Sequence, residues 1–378
     1  MREAKKFLVW LVVLVSTGWL ARAQQIDAPQ IDAPQPAGSS VASERAAAEL
    51  AIPPMAWARA LMSSAPGGQQ APKRAKAESG PPKPSEPRPI KPRPIDPSMV
   101  GYIDDAAVGN ELCIRFDAGF NDPRPDRAEY FYAGSTSPVP STAAVQRTLN
   151  FQQLYLSGEY APFKTFSAFA MVPFRWIEPF FIGAPGKSPN LFSGGGIGDV
   201  QAGLKFAAFK TEQTNITLQL KADFPSGNGV KGFGTNHYSV EPMVLLYRKL
   251  SDRTALEGEA EDTHPIGGTY FTNPPAPPKK WSADVAMYGL GPSYRLIDRD
   301  NYSVAPVLEL VAWHVFGGLQ TGENNVVQSA AGINVFNAKL GGRVSFAHGS
   351  SIYAGYGRAI TSDIWYRDLF RMEFRRAF

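Results

Sequence analysis

Apolar and polar residues alternate with period two through most of residues 101–378, in stretches separated in turn by short and long polar segments. The pattern predicts strands at 110–119, 149–161, 165–176, 198–210, 214–224, 238–249, 253–263, 282–296, 302–316, 333–346, 350–360 and 366–378. In 214–224, Ile216, Leu218, Leu220, Ala222 and Phe224 share one face, and Thr217, Gln219, Lys221 and Asp223 share the other. In 198–210, Val200, Ala202, Leu204, Phe206 and Ala208 oppose Asp199, Gln201, Gly203 and Lys205. In 333–346, Phe336, Ala338, Leu340, Val344 and Phe346 oppose Asn337, Lys339, Arg343 and Ser345. Two strands are less regular: 282–296 is rich in glycine, and 350–360 phases either way. Pro242 and Pro306 fall inside strands, where a missing donor predicts a bulge or a strand boundary.

The connections carry a second pattern. Links after even-numbered strands are short, such as Pro162-Phe163-Lys164, Thr211-Glu212-Gln213 and Ala347-His348-Gly349. Links after most odd-numbered strands are long, at 120–148, 177–197, 225–237, 264–281 and 317–332. An even strand count with turns short on one side and long on the other predicts an all-β fold. Specifically, it predicts a transmembrane antiparallel up-and-down β-barrel of about twelve strands, apolar faces toward lipid and polar faces toward the lumen. A soluble β-sandwich has no reason to segregate its loops in this way. Both barrel ends then lie in the periplasm.

The last strand fits that address. Phe370, Met372, Phe374 and Phe378 share one parity, interrupted by Arg376, while Arg371, Glu373, Arg375 and Ala377 share the other. A terminal aromatic on an amphipathic strand is the expected signal for the outer-membrane barrel assembly machinery. Arg376 is expected to snorkel to the interface.

The chain before the barrel reads differently. Arg2, Lys5 and Lys6 precede the apolar run Phe7–Leu20, and Ala21-Arg22-Ala23 supplies small residues at a cleavage site, so residues 1–23 are expected to be a signal peptide. A retained anchor helix needs about 20 apolar residues, and Ser16, Thr17 and Gly18 weaken this run. Residues 24–100 are expected to be a disordered Pro/Ala-rich arm in the periplasm. It opens on a tandem Gln-Ile-Asp-Ala-Pro repeat (25–29 and 30–34) and ends in the tract Ala71–Pro97, rich in proline, lysine and arginine. Such a tract favours extended polyproline II. It reads as a spacer, with contact to anionic cell-wall polymers as the alternative. The single cysteine, Cys113, excludes an internal disulfide framework and a cysteine-built zinc site.

Several segments resemble the meta-pathway phenol-degradation family of outer-membrane β-barrels. They are Leu154-Tyr155-Leu156-Ser157-Gly158-Glu159-Tyr160, Gly196-Ile197-Gly198-Asp199-Val200-Gln201-Ala202-Gly203-Leu204-Lys205, and Leu218–Phe224 followed by Pro225-Ser226-Gly227. The resemblance covers roughly residues 150–250. It implies an uptake or export role for small organic compounds without naming the solute; the first functional reading is a transporter or channel that admits small, hydrophobic or aromatic solutes.

Candidate chemistry is sparse. His237, His264, His314 and His348 show no local catalytic pattern, and no catalytic residue, metal ligand or cofactor is expected. Gly194-Gly195-Gly196-Ile197-Gly198 lacks the Lys-Ser/Thr of a phosphate loop and reads as a turn. Lys205, Lys221, Asp223, Glu257, Glu259, Glu261, Lys339 and Arg343 are the candidate lumen charges. The stripe Glu257, Glu259 and Glu261 admits two readings: a selectivity or metal site, or pairing with Lys205, Lys221, Lys339, Arg343 or Arg375 in a salt-bridge lattice. Trp281, Tyr302, Trp313, Trp365 and Tyr366 are expected in an interfacial aromatic girdle. Tyr130-Phe131-Tyr132 in the first long loop is a candidate constriction. The net charge of +4 gives no reason to expect nucleic acid as a partner, because many basic residues lie in the signal and arm. The expected partners are outer-membrane lipid, the assembly machinery and a small organic solute. The competing readings are an adhesion-type barrel without conductance and an outer-membrane enzyme.

Overall fold

The computed structural model describes residues 98–122, 144–183, 194–229, 232–267, 270–271, 279–321 and 327–378. The signal sequence, nearly all of the arm and Tyr130-Phe131-Tyr132 lie outside the described residues.

Twelve long strands follow one another: β1 (Glu111–Asp122), β2 (Ala144–Phe163), β3 (Phe166–Gly183), β4 (Val200–Lys210), β5 (Thr214–Phe224) and β6 (Tyr238–Lys249), then β7 (Thr254–Ile266), β8 (Val285–Tyr294), β9 (Tyr302–Val315), β10 (Asn334–Phe346), β11 (Ser350–Ala359) and β12 (Asp368–Ala377). Each pairs antiparallel with the next, and β12 pairs with β1 from Glu111↔Ala377 to Phe120↔Asp368. The sheet is therefore a closed up-and-down barrel with no free edge. Every strand inferred from the alternation is present. Strands β2 and β3, at 20 and 18 residues, outrun the roughly 9–11 residues that cross a bilayer. Their far ends take up 144–148 and 177–183, which the sequence pattern assigns to loops.

Alternation sets the facing. Leu204, Phe206, Leu220, Phe336, Leu340 and Ile352 are exposed on the outer wall, and Lys205, Gln219, Lys339, Arg343 and Tyr353 are buried inside. A closed strand wall that is greasy outside and charged inside is built for lipid. The ambiguous β11 is settled by Tyr353, which fills the lumen while Ile352 faces out. A bulge between Ala207 and Phe209 keeps Phe209 on the outer face after the phase slips.

Three expectations are corrected. Pro242 and Pro306 produce no register shift and no boundary; they pair with Leu220 and Gly342 in unbroken ladders and face outward. Gly194–Ile197 is a short strand on β3 rather than a turn. Of the expected girdle, only Tyr302 is exposed; Trp281, Trp313, Trp365 and Tyr366 are buried. Trp313 has the parity of the inward Glu309, so it cannot reach the lipid face, whereas Trp176, Phe224, Tyr238, Phe346 and Phe374 do.

The short turns gather at the end that bears both Glu111 and Ala377, the end that the short-turn rule assigns to the periplasm. Twelve strands enclose more space than an eight-stranded barrel, whose side chains fill it. Part of that extra space is occupied by the chain itself. Residues 98–110 do not extend the wall. Ser98–Ile103 are buried in the lumen, and the segment returns to enter β1 at Glu111.

Candidate functional site

The luminal segment, called the strap here, has no strand neighbour to satisfy its backbone. Its peptide groups therefore need partners from the wall. The inward charges supply them. The Met99 amide donates to Glu257 Oε1 at 2.9 Å, and the Asp104 amide to Glu259 Oε2 at 2.9 Å. Glu309 accepts three successive amides, from Gly101 at 3.0 Å, Tyr102 at 2.8 Å and Ile103 at 3.0 Å. Tyr353 donates its hydroxyl to the same carboxylate at 3.0 Å. The strap carbonyls are held by cations: Arg343 donates to Met99 O (3.1 Å) and Val100 O (2.6 Å), and Arg371 to Gly101 O (2.7 Å). Lys205 donates to Asp105 O at 3.1 Å, and Asn215 and Thr217 donate to Ala106 O. Charge-assisted bonds of this kind are about twice as strong as neutral ones.

These contacts show the path. Glu257 and Arg343 lie near the periplasmic ends of their strands, and Glu309 lies midway along β9. The strap thus rises from the periplasmic end to a tip at Tyr102–Ile103 and descends again to Asn110. Apolar packing follows the same line, with Met99, Val100, Tyr102 and Ile103 all buried in one cluster with Val307, Val311 and Tyr353. Room for it comes from the glycines of β8. A Cβ on Gly291 would sit 2.6 Å from Val100, and one on Gly289 would sit 2.9 Å from Ile103.

All eight charges singled out from sequence line the interior, but they do not do one job. Lys221 pairs with Glu241 and lies 3.8 Å from Glu261. Lys205 pairs with Glu159 at 2.9 Å, and Arg343 with Glu373 at 2.6 Å. Asp223 accepts from the Gln201 amide. Glu257 and Glu259 hold the strap instead of joining the lattice. Among the described residues no three acids or histidines come together to hold a metal ion. Alternation alone would have found Glu159, Glu241, Glu309, Arg371 and Glu373, since each has the parity of a residue already placed inside. What no pattern indicates is which of them meets a strap residue some 150 to 270 positions away.

Beside and beyond the strap lies a cavity of about 380 Å³ that reaches from Glu111 and Arg375 at the short-turn end up to Trp365 and Tyr366. Its two sides differ. Over β4–β7 it is charged, with Lys205, Lys221, Asp223, Glu241, Glu259 and Glu261. Over β8–β10 and the loop before β12 it is largely aromatic and apolar, with Met287, Trp313, Trp365, Tyr366 and Leu369 around Lys339, whereas Arg371, Glu373 and Arg375 make the β12 wall charged. The 225–237 loop also reaches the lumen. Asp199 accepts from the Gly227 amide (2.9 Å) and from the Thr235 amide (2.7 Å) and hydroxyl (2.9 Å), and Phe233 is buried against the cavity. Next to it, burial lowers the pKa of His237, whose Nδ1 donates to Thr235 O at 3.0 Å. His264 and His314 engage Asp284 and Asn334, and the His348 carbonyl accepts from Arg376. On the last strand, Phe370, Met372, Phe374 and Phe378 all face outward.

The geometry is that of an outer-membrane type β-barrel with a partly filled lumen, and solved structures of that architecture resemble it. An outer membrane channel from Pseudomonas putida F1 is 14% identical over 72% of this chain and 96% of its own, with a TM-score of 0.48. The beta domain of the Bordetella autotransporter BrkA is 14% identical over 72% and 100%, with a TM-score of 0.41. The NanC porin is 8% identical over 71% and 100%, with a TM-score of 0.39. At such identities the likeness is one of fold alone. No family model and no curated sequence matches the chain, so the meta-pathway phenol-degradation resemblance stands unconfirmed on its quoted segments.

Proposed function

We propose that this barrel is an outer-membrane channel or transporter for small organic solutes, narrowed by its own strap. The observation that carries the reading is a cavity of about 380 Å³ running alongside a luminal segment held by side chains rather than by a β-ladder. A barrel serving only as an adhesion platform gains nothing from an interior cavity lined on one side by rings. The strap's bonds go to individual carboxylates and guanidinium groups, each of which accepts water in exchange. The segment can therefore leave while the wall keeps its ladders intact. The outward stripe Phe370, Met372, Phe374 and Phe378 serves, in this reading, as the signal for the assembly machinery, and the arm before the strap is a periplasmic spacer.

Deleting residues 98–106 tests the reading. In liposomes, the shortened barrel should admit small organic solutes several-fold faster than the intact chain. Equal, negligible swelling of both, with the barrel still folded by gel mobility, would remove the channel reading and favour a barrel without conductance.

A further inference from the structure

Among the described residues, Lys339 is a lumen cation that its own wall leaves without a bonded acid. Lys339 is 4% exposed and lies on β10 directly across from Glu309 on β9, the closest pairing an antiparallel sheet offers. Yet among the described residues no carboxylate oxygen lies within 4.0 Å of its ammonium. Glu309 is turned to the strap amides. The Lys339 ammonium instead sits 4.0 Å from the Tyr102 ring centroid, 5.2 Å from Trp313 and 6.0 Å from Tyr366. Such rings attract a cation, but an unpaired buried charge remains costly.

Lys339, Tyr102, Trp313 and Tyr366 all border the cavity, together with Trp365 and Phe151. The other buried cations of the lumen are already engaged. Arg371 grips Asp117 at 2.6 and 2.7 Å, Arg343 and Arg375 share Glu373, Lys205 and Lys221 have their own acids, and Arg175 donates to Gln153 Oε1 and the Gly232 carbonyl. An incoming anion is therefore directed to Lys339.

We infer that the cavity is a binding site for a small aromatic monoanion, its carboxylate or phenolate on Lys339 and its ring against Trp313 and Tyr366. The site deepens the channel reading, on which it rests for the solute's access to the lumen. A ligand without a ring forfeits the aromatic wall, and a neutral ring leaves the ammonium unpaired. A dianion would bring a second charge toward Glu261 and Asp223 across the cavity. The size is right for one ring with a short substituent. The Tyr102 ring is the floor of the site and also the tip of the strap, so an occupant touches the element that narrows the path.

The test uses the purified full chain in detergent with benzoate, benzyl alcohol and acetate as probes, read by calorimetry and by fluorescence of the cavity tryptophans. Benzoate should bind at least tenfold tighter than either of the others. Lys339→Met should weaken benzoate about tenfold or more, the usual consequence of losing one partner of a desolvated charge pair, and leave benzyl alcohol within about twofold. Lys339→Arg, which keeps the charge, should retain benzoate binding and shows that any loss in Lys339→Met is not misfolding. Benzoate no tighter than benzyl alcohol, or unchanged by Lys339→Met, overturns the site. Swelling of strap-deleted liposomes together with no benzoate preference in the full chain would overturn the site and leave the channel reading standing. Benzoate binding without swelling would support the site and remove the channel.

Discussion

Glu309 and Lys339 face each other across two neighbouring strands, with the same parity and opposite charge, and their surroundings could hardly differ more. Glu309 is fully buried and saturated, by three strap amides and a tyrosine hydroxyl. Lys339 has rings for company and a cavity in front. One charge is completed by a backbone segment and the other faces the cavity. An inward charge in a barrel is therefore not by itself a selectivity element. Its meaning depends on whether a backbone segment or a solute completes it.

The largest expected effect comes from removing Glu309. Glu309→Ala strands three buried amides, each costing about 1–3 kcal/mol when left unmet, so the strap should leave the lumen. Single-channel recordings should show a conductance approaching that of the strap deletion, and protease should cut at 98–106. An unchanged conductance would show that apolar packing of Met99, Val100 and Ile103 holds the strap without the carboxylate. Gly291→Val should act more weakly. Its new Cβ would fall 2.6 Å from Val100, and overpacking of this kind costs about 1–3 kcal/mol. The expected readout is intermittent opening in the same recordings, with β8 itself intact by gel mobility. Glu259→Gln should do least, because a glutamine oxygen still accepts the Asp104 amide. Ion selectivity should shift little, and a large shift with unchanged barrel stability would return Glu259 to the role of selectivity element.

Much of the barrel was legible because alternation is a local property. The side-chain period of a strand is two residues, so a dozen residues suffice to tell which face meets lipid. That is why Leu340 and Lys339 sort correctly from their neighbours alone, and why the short links at 211–213 and 347–349 fall at one end of the barrel. The aromatics illustrate the limit of the same rule. Residue type matches Trp313, Trp365 and Tyr366 to a girdle, whereas parity puts Trp313 inside and the fold of the loop before β12 puts Trp365 and Tyr366 there. A proline lacks one donor and so predicts a disruption at Pro242 and Pro306, but β6 and β9 keep their registers around a single missing bond.

A closed barrel of about twelve strands, its facing and the eight charges of its interior follow from the sequence, because each rests on patterns that span a single strand or a single link. What those charges do is set by the tertiary structure. The strap that occupies the lumen joins residues separated by up to 270 positions, and nothing in the composition of Ser98–Asn110 marks it as interior. The choice between a saturated Glu309 and an open Lys339 depends on where that strap stops, and that is set by packing against glycines on β8 rather than by any local pattern.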